Sequence, residues 1–377
     1  MKYSIPVEDS CKDEPGHAYY ISQPENLEAK QGLPVIIAID PHGDGKLAVQ
    51  QFSNALGNIP AVIVGSEKLR NKYSGFDASI LHLQSDILEK YPGDPEKVIV
   101  SGFSGGARMA YFYGMKHKIL GIIMFGAGPG QVAEQFGKKR VYAVSGSRDF
   151  NFMEQYVPPF SKLSDEQVYV NDLFRGTHEW PPDRYIYESV AYMLKDEPGY
   201  LSISKDLSYG LISEYDSLLR SNDLLFAGKT LEKAWHFAQG TRNKKLISGK
   251  INQFTNMPEW TDYNKKFDSY LQKELKLKQA YVDQLAFPDT NWWKKEIESL
   301  NQNILTCSDP VRKDFLYRIK GYIGIVLYSK INANLRNEIL GEELERLLVI
   351  YELAEPESQD LINFKSRVQH LTRLEGK

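Results

Sequence analysis

The feature that most constrains the fold of this chain is a β-branched run that ends in a tight glycine–serine turn. Residues 97–101 read Lys-Val-Ile-Val-Ser, residues 102–106 read Gly-Phe-Ser-Gly-Gly, and a helical pattern follows over 105–117. A Gly-x-Ser-x-Gly turn between a buried strand and a helix holds its serine in a strained conformation with the hydroxyl exposed. The glycines are needed because the strand and the helix approach closely there. Ser104 is therefore a candidate nucleophile, and an ordinary tight turn is the alternative.

The composition of the 377-residue chain excludes several classes of protein. The chain is 42% hydrophobic and 25% charged, with a net charge of −3. Because the two signs of charge are interspersed, we expect no nucleic-acid partner and no polybasic membrane patch. The apolar stretches are too short for a transmembrane segment. Only two cysteines, Cys11 and Cys307, and seven scattered histidines occur, so no disulfide framework, metal or cofactor is expected.

Short apolar runs alternate with helical segments up to about residue 197. The predicted strands are 17–22, 34–39, 61–65, 97–101, 121–125, 141–145 and 167–174, and the predicted helices between them are 46–56, 76–91, 105–117 and 183–195. Most of the runs are apolar throughout, as is typical of parallel strands that are covered on both faces. The pattern predicts a doubly wound α/β domain over residues 1–197 with a mostly parallel sheet.

The remaining residues, 198–377, have a helical pattern and predict an all-α domain of helical hairpins. A helix is expected from about Leu335 to Ala354, where Pro356 ends it, and another helix follows. The stretch 347–358 resembles the end of a tetratricopeptide-type (TPR) repeat, although no 34-residue period precedes it. The paired Trp292 and Trp293 are expected in a helical core, and a sugar or peptide platform is the alternative.

Two further residues complete the set that a serine nucleophile requires. Asp149 follows the strand 141–145, and His178 follows the strand 167–174. The order Ser, Asp, His, with each residue beyond the carboxyl end of a strand, is that of a nucleophile, an orienting acid and a base. A turn aspartate and a solvated surface histidine are the alternatives for these two residues.

The nucleophile also requires hydrogen-bond donors for an oxyanion. Gly105 is expected to supply one backbone N–H from the start of the helix. The second is expected from Gly43 or Asp44, in the loop after strand 34–39. The Asp44 carboxylate would oppose a developing negative charge unless it points away or binds the substrate. His42 is expected mainly to shape this loop and is also a candidate substrate contact.

Two aromatic neighbours of the predicted triad complete the candidate site. Phe103, directly before Ser104, and Trp180, two residues after His178, are predicted to contact the substrate.

The first 197 residues resemble an α/β-hydrolase of the branch that contains dienelactone-hydrolase-like and polyhydroxybutyrate-depolymerase-like esterases. The resemblance is carried by the segments 41–43, 102–110, 146–149 and 176–178. It implies Ser104 as nucleophile, Asp149 as acid and His178 as base. The chain lacks the cysteines of the depolymerases, and it departs from the dienelactone hydrolases in having serine as its nucleophile.

The segment after the nucleophile helix carries information on access to the site. The interval from Gly126 to Lys139 is too short for an inserted cap domain, so the site is either open to large substrates or covered by the C-terminal helices. Its glycine-rich part, 126–130, is expected to be an ordinary loop, because no nucleotide-binding signature surrounds it.

These features predict a serine hydrolase that cleaves a small-molecule or polymeric carboxylic ester through an acyl-enzyme. A peptidase is a less favoured variant, because the chain has no propeller domain to select peptides. The alternative is a weakly active or inactive hydrolase fold whose helical domain binds a protein or peptide. The first residues are not those of a signal peptide. We expect a cytoplasmic protein if Met1 is the native start, and a periplasmic or cell-envelope protein if a leader has been removed.

Overall fold

A computed structural model describes residues 1–25, 32–128, 139–161, 169–238, 240–286 and 289–375. The chain forms two compact units. The first contains residues 1–147 and 151–261, and the second contains residues 148–150 and 262–377. We call them the α/β unit and the helical unit.

The α/β unit is built on one sheet of eight strands. These are β1 (Val7–Ser10), β2 (Ala18–Ser22), β3 (Leu33–Ile39), β4 (Val62–Ser66), β5 (Gly93–Phe103), β6 (Gly121–Phe125), β7 (Arg140–Gly146) and β8 (Tyr169–Phe174). They lie in the order β1-β2-β4-β3-β5-β6-β7-β8. Strand β2 is antiparallel to both of its neighbours, and β3 to β8 are mutually parallel. This is the strand order of an α/β-hydrolase, which confirms the predicted fold class.

Helices follow the parallel strands and continue beyond the sheet. In the first part of the chain they are α1 (Gly45–Ala55), α2 (Phe76–Lys90), α3 (Gly105–Lys116), α4 (Phe152–Gln155) and α5 (Asp183–Met193). They continue with α6 (Leu201–Arg220), α7 (Leu224–Phe237), α8 (Gly240–Thr255), α9 (Pro258–Gln284), α10 (Thr290–Thr306), α11 (Pro310–Arg336), α12 (Glu342–Ala354) and α13 (Gln359–Glu375). No helix within the described ranges is long and apolar enough to cross a bilayer.

The buried strands explain why sequence reasoning located the sheet. Every residue of β3, β4 and β6 is buried, as expected where helices cover both faces of a parallel sheet. The sequence analysis missed β1, because three of its four residues are polar and most of them are exposed. The predicted strand 167–174 is observed from Tyr169, and residues 167 and 168 lie outside the described ranges.

A buried ion-pair network joins three elements of the α/β unit. The Lys233 ammonium on α7 lies 2.7 Å from the carboxylate of Asp172 on β8 and 2.6 Å from that of Glu188 on α5. Burial lowers the pKa of Lys233, but the two carboxylates outweigh burial and raise it above its usual value. The network therefore holds α7 against the sheet.

The predicted domain boundary at residue 197 marks the end of the β/α alternation and lies inside the α/β unit.

The helical unit has its own apolar core, formed by residues of α9 to α13. Trp293 is fully buried in it and Trp292 is 37% exposed, so Trp293 has the predicted core role. The helix predicted over 335–354 is wrong at its start: Leu335 belongs to α11, and α12 begins at Glu342. The chain leaves the helix between them, where Glu338 has a positive φ of 55°. The TPR-like character of this region stays a prediction.

Candidate active site

Ser104 lies in the turn between β5 and α3 with a left-handed backbone conformation, φ 52° and ψ −117°. Its N–H donates to the Phe125 carbonyl at 2.8 Å on neighbouring β6, which stabilises this strained backbone. The turn requires glycines because neighbouring backbone atoms leave no space for a Cβ. A Cβ at Gly102 would overlap the backbone of Gly106, and a Cβ at Gly106 would overlap the Ile39 carbonyl at the end of β3.

His178 lies in the loop after β8 and faces the serine. Its Nε2 is 2.9 Å from the Ser104 hydroxyl oxygen, which is hydrogen-bond distance for a nucleophile and its base. The Phe103 ring packs against the imidazole, with 4.7 Å between ring centroids. Both His178 and Ser104 are partly exposed, so solvent and a substrate can reach them.

Asp40, which sequence reasoning did not select, connects two loops of the site. Its buried carboxylate accepts the His42 backbone N–H at 2.8 Å through Oδ1 and the Trp180 indole N–H at 3.3 Å through Oδ2. It therefore ties the loop after β3 to the loop that carries His178. Its position at the carboxyl end of a strand was the sequence signal for it.

The predicted substrate contacts differ in how much surface they offer. The Phe103 side chain is only 9% exposed, and its ring lies 5.5 Å from that of Trp180. Trp180 is half-buried and also contacts the rings of Phe52 and Phe125. His42 is exposed. Phe103 therefore mainly packs against the His178 imidazole, whereas His42 and Trp180 have surface available to a ligand.

The predicted oxyanion donors are also distinguishable. Gly105 is the first residue of α3, so its N–H has no acceptor within the helix. The Gly43 N–H donates to the Asp40 carbonyl at 3.1 Å. The Asp44 N–H has no acceptor among the described residues. The Asp44 carboxylate accepts the Leu47 N–H at 2.8 Å and caps α1, so this charge is engaged by the helix.

Asp149 is fully buried, three residues beyond the end of β7. The chain before it contacts the loop after β8: the Ser147 N–H donates to the Phe174 carbonyl at 2.8 Å. A Cβ at Gly146 would overlap the carbonyls of Gly176 and Thr177. The loops that carry Asp149 and His178 therefore begin side by side on neighbouring strands. Asp149 itself belongs to the three-residue segment 148–150 of the helical unit.

Asn71 is a second residue that sequence reasoning missed. It lies in the loop after β4, and its side-chain oxygen occupies the space that a Cβ at Gly105 would take. Its backbone N–H donates to the Pro41 carbonyl at 2.8 Å. The terminal amide can present either its oxygen or its NH2 group by a half-turn. Gly105, directly after Ser104, was the sequence signal, since a glycine there indicates that another group lies close to the turn.

A buried polar relay anchors the loop that carries Asn71. The Ser66 hydroxyl oxygen accepts the backbone N–H groups of Lys68 and Leu69, both at 3.1 Å. The same oxygen lies 2.7 Å from Nε2 of His17, whose Nδ1 is 2.8 Å from the Glu14 carboxylate. Burial lowers the pKa of His17, against the opposing effect of Glu14. Because His17 is fully buried, the relay supports the loop and is not open to a substrate.

Two further expectations concern metals and access. Across the part of the chain that the structure describes, no group of three or more His, Cys, Asp or Glu side chains could hold a metal ion. Residues 129–138 lie outside the described ranges. The expectations for the loop 126–130 and for the absence of a cap between Gly126 and Lys139 therefore stay predictions.

No protein-family model and no curated protein matches this chain. Solved structures with a similar fold include a hyperthermophilic esterase from the archaeon Pyrobaculum calidifontis, 11% identical with a TM-score of 0.37. That match covers 51% of this chain and 85% of the other. An acetyl xylan esterase from Aspergillus awamori is 18% identical, with a TM-score of 0.31, over 41% of this chain and 77% of the other. An acylaminoacyl peptidase from Pyrococcus horikoshii is 12% identical, with a TM-score of 0.35, over 52% of this chain and 41% of the other. Similarity of this extent does not identify an activity.

Proposed function

We propose that the chain is a serine hydrolase that cleaves carboxylic esters through an acyl-enzyme. The observation that carries the proposal is the 2.9 Å approach of His178 Nε2 to the Ser104 hydroxyl, at a turn where the serine has a positive φ. A strained serine within reach of an imidazole is the arrangement of an activated nucleophile.

In this mechanism, His178 removes the hydroxyl proton as Ser104 attacks the ester carbonyl carbon. The tetrahedral intermediate collapses when His178 returns the proton to the leaving alcohol, and the acyl group stays on Ser104. Water, deprotonated by His178, then attacks the acyl carbon. The bond between this carbon and the Ser104 oxygen breaks, His178 returns the proton to that oxygen, and the acid is released. The role of Asp149 is to accept a hydrogen bond from the other imidazole nitrogen and stabilise the imidazolium.

The oxyanion of each intermediate requires two N–H donors. Gly105 is the first, at the N-terminus of α3, where the helix dipole also favours negative charge. For the second we favour Asp44 over Gly43, because the Gly43 N–H is engaged by Asp40. His42 and Trp180, with their exposed surface, are the substrate contacts of this proposal, and Phe103 supports the base.

The test is turnover of p-nitrophenyl acetate by the wild type, Ser104→Ala and the matched control Ser101→Ala. We expect Ser104→Ala to lose at least about a thousandfold in kcat, because the nucleophile is removed. Ser101 is buried on β5, three residues before Ser104, and its hydroxyl has no hydrogen-bond partner among the described residues. Ser101→Ala should keep wild-type turnover. Folded Ser104→Ala protein with unchanged turnover would reject the proposed function.

A further inference from the structure

The segment 148–150, which contains the proposed acid, is held by residues of the helical unit. Before Asp149 in the chain, the Arg148 guanidinium lies 2.7 Å from the Asp314 carboxylate and 4.6 Å from the centroid of the Tyr317 ring. Both partners are on α11, so one helix holds this side of the segment by an ion pair and a cation–π contact.

The residue after Asp149 is held from α9. The Lys278 ammonium donates to the Phe150 carbonyl at 2.8 Å, and the Phe150 ring lies against Gly321 of α11. A Cβ at Gly321 would come to 3.4 Å from that ring. The backbone of Phe150 therefore contacts α9, and its ring contacts α11.

Lys278 is itself fixed by a buried charge network. It lies 2.8 Å from one oxygen of Glu274, and Arg318 lies 2.7 Å from the other. Glu274 is fully buried and Arg318 is 1% exposed. Charges at such positions are costly unless each is paired, so the network holds the Lys278 ammonium at a defined position beside Phe150.

We propose that Lys278 and Asp314 are positioning residues for Asp149. By holding Phe150 and Arg148 they fix the segment from both sides. The inference rests on the proposed function, because it assigns a purpose to the position of the acid. Small displacements of a group that orients a base cost rate, since the productive geometry is narrow.

The test is a double-mutant cycle with Asp149→Asn, measured as kcat and KM for p-nitrophenyl acetate. Lys278→Met should lower kcat about 10- to 100-fold with KM nearly unchanged. In the Asp149→Asn background the same change should cost less than about threefold, because the group that Lys278 positions no longer acts as the acid. Lys278→Arg should restore part of the rate. Lys276→Met, exposed on the same helix, is the control and should change nothing.

Asp314→Asn serves as a second variant, because its partner Arg148 is partly exposed and the fold depends less on it. Its kcat should fall in the wild-type background and not in Asp149→Asn. Equal losses in both backgrounds, or full activity in folded Lys278→Met and Asp314→Asn, would overturn this inference alone. Turnover that survives in Ser104→Ala would reject the proposed function and this inference together.

Discussion

The side-chain oxygen of Asn71 lies in the space that a Cβ at Gly105, the residue after the proposed nucleophile, would take. The backbone of the loop that carries Asn71 is anchored both to Pro41 and to the buried His17 relay. The Asn71 amide group therefore lies beside the turn at which negative charge develops in the proposed reaction.

We predict that Asn71→Asp lowers kcat for ester hydrolysis at least about tenfold more than Asn71→Ala does. A carboxylate beside the oxyanion opposes its formation, whereas alanine only removes a dipole. The measurement is kcat at pH 8, with thermal unfolding to verify that the variants fold. Ser74→Ala, an exposed change in the same loop, is the control. Equal activity of the aspartate and alanine variants would show that Asn71 does not act on the reacting charge.

Individual site residues could be predicted where the proposed chemistry requires a residue type at a fixed place relative to a strand. Ser104 and His178 were selected from the ends of predicted strands, and the structure brings them together. Asp40 and Asn71 were not selected, because their positions depend on contacts with loops that are distant in the sequence. In the sequence alone, Asn71 cannot be distinguished from the other polar residues of the loops.

At the scale of elements, α7 carries charge and a histidine into the interior of the α/β unit. His236 is 7% exposed and its ring lies edge-on to that of Tyr192. Burial, and then the nearby positive charges of Lys195, Lys229 and Lys244, lower the pKa of His236 to about 3. The histidine is therefore neutral in the folded protein at pH values where it is protonated in the unfolded chain.

We predict that acid destabilises the protein through His236. Between pH 6.5 and the folded pKa the unfolded state binds the extra proton, so the free energy of unfolding falls by up to about 1.4 kcal/mol per pH unit as the pH falls. His17, whose pKa is also lowered, contributes in the same range. Urea unfolding at pH 7, 6 and 5 gives the free energy of unfolding at each pH. This free energy should depend less steeply on pH in His236→Phe than in the wild type. Identical slopes would contradict the prediction.

The strands were the most predictable elements. A continuous apolar run such as β3 has to be buried on both faces, which occurs in a parallel sheet covered by helices. The break between α11 and α12 was missed, because the residues on both sides continue the apolar helical pattern. The change of chain direction at Glu338 depends on how α11 and α12 pack together. The apolar periodicity of the sequence contains no information on this packing.

At the scale of the whole molecule, the end of the β/α alternation does not coincide with the end of the first compact unit. Composition locates the change to helices near residue 197, yet α6 to α8 belong to the α/β unit. One reason is the ion pairing of Lys233 on α7, whose positive charge lies beside the buried carboxylates of Asp172 and Glu188. Such a dependence between distant residues cannot be recognised from local composition.

We predict that a fragment of residues 1–197 does not fold, because Asp172 loses its cation Lys233 and Glu188 keeps only Arg184. A fragment of residues 1–261 should unfold cooperatively on heating and should have less than about a hundredth of full-length kcat, since it lacks the partners of the segment 148–150. Circular dichroism and ester turnover measure both properties. A stable fragment 1–197 would instead support a domain boundary at residue 197.

A fluorophosphonate probe, with the adduct located by peptide mass mapping, tests whether Ser104 is an activated nucleophile. We expect one adduct per chain on Ser104, and none on folded Ser104→Ala. A folded wild-type chain that stays unlabelled, or that is labelled at another residue, would contradict this expectation.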